Sequence, residues 1–295
     1  MVLKLCAPGL AAFAVGMALL CHSAGAQTRP DTPVRLWALT AQQELVQFDA
    51  ATPSHWLQRK PLRGLVADEV LVGLDFRVAR GVLYGVSQRG RVYTIDTTSG
   101  QAQAVGEANP TLPLTEGPYG VDFNPVADRI RLVNAQGLNA RLHPDTGAHV
   151  DGDPKTDGVQ TDAPLAFVDG DPHAGRAPEV VAAAYTYHPR NDKLTTNYAI
   201  DRARGALLVQ GSHEEAQPVV SPNTGRLTTV GLLGTGPLLD ASFDITDVGN
   251  RPLAVLRTVS DPRATLFQID LTTGQARSLG VIGEGGPLLG LATEP

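Results

Sequence analysis

The chain has 295 residues, among them 31 Gly, 22 Pro and two Cys, and a formal net charge of −6. That mildly acidic balance offers no basic footprint for nucleic acid, and past the first twenty residues no apolar stretch reaches the roughly 20 residues of a membrane-spanning helix. Lys4, the apolar run Leu5 to Leu20 and then Ser23-Ala24-Gly25-Ala26 read as a secretory leader cut after Ala26. Residues 1–26 are therefore expected to be removed, 27–35 to be flexible, and 36–295 to form a single domain, periplasmic or extracellular. Cys6 and Cys21 both fall in the leader, so the mature chain has no disulfide to rely on.

From Leu36 onward the apolar runs are short, and turn chemistry interrupts them every eight to twelve residues, which predicts many short strands and little helix. Leu36 to Leu57 supplies three strands, with Leu45-Val46-Gln47-Phe48-Asp49 in the middle. Next come Leu74-Asp75-Phe76, Val82 to Val86, Arg91 to Asp96, and a strand after Thr98-Ser99-Gly100. The order returns from Val121-Asp122-Phe123 to Asp145-Thr146-Gly147, and more loosely from Val180 to Gly231. A last copy runs from Phe243-Asp244-Ile245 through Leu266 to Asp270 and Thr272-Thr273-Gly274.

Each copy offers four strands, and 47 residues separate Phe76 from Phe123. A four-stranded unit at that spacing predicts an all-β β-propeller. The N-terminal copy lacks its first strand, which Leu288-Leu289-Gly290-Leu291-Ala292 is free to supply. Pairing the two chain ends in this way closes a ring of five four-stranded blades and hides its last open edges. An irregular β-sandwich and a six-bladed ring are the alternatives.

The stretch Gly120-Val121-Asp122-Phe123-Asn124-Pro125 with Asp128-Arg129-Ile130-Arg131 resembles a bacterial family known as domain of unknown function number 4394. Asn139-Ala140-Arg141-Leu142, Pro144 to Gly147 and Val180 to Thr186 extend the resemblance across nearly all of the mature chain. It implies an exported, propeller-like protein and brings no assigned activity, substrate or catalytic residue.

Three groups of residues could carry chemistry. Asp75, Asp122 and Asp244 recur at one place in three copies and could converge on a central channel. There they would serve as an acid and a base for hydrolysis, which an inverting glycosidase needs roughly 6.5–9.5 Å apart, or else receive backbone N–H groups. The acidic run contains Asp151, Asp153, Asp157 and Asp162, then Asp169 and Asp171. Its oxygens suit Ca²⁺, the one cofactor the sequence suggests, although Asp-Gly turns account for the same pattern. Arg129, Arg131 and Arg141, with Asn134 and Asn139, break the repeat. Guanidiniums on alternate positions of a strand share a face and could grip a carboxylate or phosphate, or pair with Asp122, Asp128 or Asp145. Tyr119 and Tyr185 could line a groove beside them. No H-x-x-x-H, G-x-S-x-G, P-loop or dinucleotide-binding pattern is present.

The expected function is a binding module for a small anionic or carbohydrate ligand, or for an envelope protein. A glycosidase- or lactonase-like hydrolase using channel carboxylates is the rival.

Overall fold

A computed structural model describes residues 1–2, 33–106, 112 and 114–295. The expected leader run Leu5 to Leu20 and its cleavage point at Ala26 lie outside the described residues. In the unit Pro33–Pro295 the strands form five sheets, arranged as the five blades of a β-propeller. Helix among the described residues amounts to two single 3₁₀ turns, Val78–Arg80 and Pro222–Thr224.

Blade I contains β1 (Arg35–Thr40), β2 (Glu44–Asp49) and β3 (Trp56–Pro61). Blade II contains β4 (Leu71–Arg77), β5 (Val82–Ser87), β6 (Val92–Asp96) and β7 (Gln101–Ala104). Blade III has β8 (Tyr119–Asn124), β9 (Arg129–Asn134) and β10 (Asn139–Leu142). The short β11 (Ala166–Phe167) pairs in parallel with the outer strand of blade IV, which is built from β12 (Val180–Tyr185), β13 (Asn197–Asp201), β14 (Ala206–Gln210) and β15 (Arg226–Leu232). Blade V has β16 (Leu238–Ile245), β17 (Pro252–Thr258), β18 (Thr265–Ile269) and β19 (Ala276–Val281). Finally β20 (Leu288–Thr293) returns to lie antiparallel to β1, with Leu36 opposite Thr293, and supplies the inner strand of blade I.

Two blades depart from the expected four strands. Blade III stops at three, because beyond Gly147 its chain makes only a single bridge, Leu142 to His149. Blade IV gains β11 as a fifth, and its third strand, β14, carries neither the Asp-Phe nor the Thr-x-Gly signature.

Strand burial follows position in the ring. Inner strands are covered on both faces and read as continuous apolar runs; β12 is Val-Val-Ala-Ala-Ala-Tyr and buried throughout. The outer β3 is Trp-Leu-Gln-Arg-Lys-Pro and mostly exposed. The recurring turns work through aspartate. Asp96 Oδ1 accepts the N–H of Thr98 and Ser99, and Asp270 Oδ1 accepts those of Thr272 and Thr273. Gly100 and Gly274 follow with φ of 75° and 80°, a region that glycine occupies without strain.

The five inner strands form the ring itself, with β4, β8, β12, β16 and β20 each against the next. They approach too closely for side chains at some positions. A Cβ on Gly120 would fall 2.7 Å from the Ala182 backbone, and one on Gly290 would fall 2.8 Å from the Leu74 nitrogen. The central space beside Gly73, Gly120, Ser242 and Gly290 is accordingly only about 10 Å³, too tight for a through-channel.

Candidate functional site

The inner strands run toward one face of the ring, and near that end lie Asp75, Asp122 and Asp244. All three are buried, and one oxygen from each lies within 4.8 Å of the others. Their bonds follow the ring. Asp75 Oδ2 accepts the N–H of Phe123 in the next blade, Asp122 Oδ2 that of Tyr185, and Asp244 Oδ2 both the N–H and hydroxyl of Thr293. Blades IV and I have Ala184 and Ala292 at the corresponding place. The two N–H groups that follow those alanines round the ring, on Ile245 and Phe76, turn instead to Oδ1 of their own Asp244 and Asp75. Every member of this five-fold set of amides is thereby satisfied by three carboxylates.

Among the described residues, those carboxylates have no cationic partner. Burial pushes Asp75 and Asp122 well above the usual carboxylate range, and the charges of their neighbours add to it. Burial also raises Asp244, to about 6, against the opposing bonds from Thr293. Among the described residues this is the group of acids close enough together to hold a cation. Tyr187 has its hydroxyl pKa raised by burial first and then by the fields of Asp75, Asp122 and Asp244.

The arginines occupy the seam between blades III and IV. Arg131 is 1% exposed. Its Nε donates to Tyr185 Oη, Nη1 to Asn139 Oδ1 and Asp162 Oδ2, and Nη2 to Asn223 Oδ1. Arg141 lies across the strand pair from Arg131 and binds both oxygens of the same Asp162, at 2.8 and 2.7 Å. Arg129 donates to the carbonyls of Ala127 and Asp128. The expected acids are therefore not the partners: Asp128 and Asp145 both pair with Arg77 across the seam between blades II and III. Asp162, drawn from the acidic run, serves instead.

That use of Asp162 separates it from the run in which calcium was expected. Asp151 Oδ1 accepts the N–H of Asp153 and Gln160, and Asp153 accepts from Lys155 and Thr156. Asp157 is exposed, and its carbonyl receives the Gln160 amide. Among the described residues, Asp151, Asp153, Asp157 and Asp162 do not come together as one ligand group; Asp151 and Asp153 brace turns, and Asp162 pairs with the arginines. Tyr185 lies beside the arginines as expected. Tyr119 does not: it starts β8, at the far end from Asn124, and its hydroxyl donates to the Thr115 carbonyl.

Two concavities lie near these groups, of which the first escaped the sequence and the second adds Asn223 to arginines and a tyrosine already singled out there. The first is a pocket of about 430 Å³ where the turns of blades II, III and IV meet, walled by Val78, Ala79, Phe123, Pro125, Tyr187 and Leu194. Arg77, Asp128, His188 and Asp192 add polar groups to it. The second is a smaller recess of about 100 Å³ on the other side of the β8–β9 turn, lined by Arg129, Arg131, Arg141, Tyr185 and Asn223. The Asp-Phe signature marked Phe123, but apolar residues in turns such as Val78 and Leu194 carry no spacing signal.

Residues 44–292 match the family described as "Domain of unknown function (DUF4394)". The chain belongs to that family. No curated protein matches this DUF4394 chain. Among solved structures, the crystal structure of Myxococcus xanthus glutaminyl cyclase is similar to it at a TM-score of 0.43 and 13% identity, over 81% of this chain and 83% of that one.

Proposed function

We propose that this DUF4394 protein is an exported binding module that takes a small ligand in the pocket between blades II, III and IV. The pocket itself carries the proposal. At about 430 Å³ it falls within the range of small-molecule sites, and its apolar wall with a few polar groups is the usual lining of such sites. Export is supported by Lys4, the apolar run after it, and Ala24 and Ala26.

The geometry favours binding over hydrolysis by channel carboxylates. Asp75, Asp122 and Asp244 are enclosed, occupied by backbone N–H groups and crowded together, whereas paired carboxyls that admit a water stand roughly 6.5–9.5 Å apart.

A ligand that binds the folded state alone raises the melting temperature. Screening the protein against envelope sugars, small carboxylic acids and amphiphiles is expected to give such a rise. Ala79→Trp should abolish it, because Ala79 is exposed and a large ring there fills the pocket without disturbing a blade. A flat screen, or a rise that survives Ala79→Trp unchanged, would overturn the proposal.

A further inference from the structure

The 100 Å³ recess has its own chemistry, independent of what fills the larger pocket. Three guanidiniums surround it, and one carboxylate, Asp162, faces Arg131 and Arg141. The other acids of the neighbourhood are engaged: Asp128 and Asp145 by Arg77, and Asp122 by the Tyr185 N–H at a depth that favours its neutral form. Counting Arg77 with its two acids, four guanidiniums stand against three charged carboxylates, so positive charge is in excess by one around a small concavity.

Hydrogen-bond accounting gives the same sign. A guanidinium carries five N–H donors. Among the described residues, Arg141 commits its Nε and Nη2 to Asp162 and the Asp151 carbonyl, and its Nη1 has no partner. The Nε and Nη2 of Arg129 have none either. In the same seam Asn197 is 1% exposed, lies across the strand pairs from both Tyr185 and Gln210, and has neither amide atom bonded. Gln210 Oε1 across from Asn197 is likewise unbonded, so the spare groups of that row are mixed, whereas those of Arg129 and Arg141, which line the recess, are donors alone beside an Arg131 held by four partners.

We propose that the recess bounded by Arg129, Arg131 and Arg141 is an oxyanion site, receiving a carboxylate or phosphate group of a small molecule. Its size admits such a head group and little more. Planar guanidiniums with unspent N–H groups match the paired oxygens of either anion.

The test is calorimetric titration with inorganic phosphate and, separately, acetate, in chloride buffer of matched ionic strength. At least one anion is expected to bind in the millimolar range, and which one binds tighter names the class. Arg129→Gln should weaken binding about tenfold, the loss expected for a charge-assisted bond. Ala127→Glu, at an exposed position on the rim, should abolish it. Both variants should melt close to the native protein in chloride alone. Ala79→Trp should leave anion binding intact, which separates this site from the larger pocket. Absence of binding by both anions, or equal affinity in Arg129→Gln and Ala127→Glu, would overturn the proposal.

Discussion

The two seams on either side of blade III place their ion pairs differently: toward blade II, Arg77 meets the exposed Asp128 and Asp145 at the edge of an apolar interior, whereas toward blade IV the Arg131–Asp162 pair lies inside. Toward blade II, Ile130 and Leu132 of β9 join Val121 and Phe123 against Tyr84, Val86 and Val92, and the Tyr84 and Phe123 rings meet edge-on at 5.1 Å. Toward blade IV, the alternate residue Arg131 lies with Asn139 and Arg141 against Tyr185, with Asn197 and Gln210 in the same seam, and apolar packing resumes at Val133, Phe167 and Leu208. One six-residue strand thus serves an apolar joint with one face and a hydrogen-bonded joint with the other, as the period of two allows. The apolar joint needs only volume and tolerates related shapes. The polar joint needs particular atoms in particular places, and a single loss leaves other buried groups without partners.

Arg131→Ala should be the most damaging way to break that contrast. It strands the Asn223 oxygen, leaves Asn139 Oδ1 with Gln210 alone and leaves Asp162 with Arg141 alone, a loss of about 3–5 kcal/mol in urea denaturation. Replacing both, Arg131→Met with Asp162→Leu, should recover part of it, because the two fully buried charges are gone and only Arg141, which keeps access to water, is left unpaired. If the double variant is as unstable as the single one, desolvated charge is not what makes the seam exacting.

A smaller effect is expected from the carboxylates at the inner end of the same row. Unfolded aspartates titrate near 3.9, while burial raises Asp75 and Asp122 and brings Asp244 to about 6. The folded protein therefore holds protons that the unfolded chain releases. Their contribution to stability is complete below about pH 4; the share of Asp244 is lost as pH rises through about 6, and those of Asp75 and Asp122 as it passes their own raised values. Asp122→Asn keeps an acceptor for the Tyr185 N–H and removes one charge, so the decline should flatten by on the order of 1 kcal/mol relative to the native protein. An unchanged slope between the two would refute the shared field. Tyr185→Phe should cost least, about 1 kcal/mol, by freeing only the Arg131 Nε; a cost near that of Arg131→Ala would mean that the row fails as one unit.

The ring was legible in the sequence because its signals are local and repeated. Asp-Phe at Asp75 and Asp122, the Thr-x-Gly turns and the partnerless strand ending in Leu291-Ala292 each have a spacing that a reader can count. Blade IV was harder, since Ala184-Tyr185 replaces the signature and β14 has none. The arginines drew notice by breaking the repeat, but their counter-ion did not. Asp162 lies in an insertion with no period, among aspartates that only make turns, and Asn223 comes from another blade's outer approach. Contacts across a seam are fixed by how blades lean together, which no window along the chain records. Tyr119 shows the reverse error: close in sequence to Asn124, it stands at the opposite end of the strand.

The pairing of β20 with β1 also sets the order of events in synthesis. Blade I is begun first and finished last, since its inner strand is Leu288–Thr293. Throughout translation the nascent chain carries an unfinished sheet whose edge any passing strand could join. Asp244 likewise waits for Thr293 to emerge before its second oxygen is engaged. Closure of this ring therefore waits for Leu288–Thr293, and until that strand arrives the edge of β1 stays open to pairing.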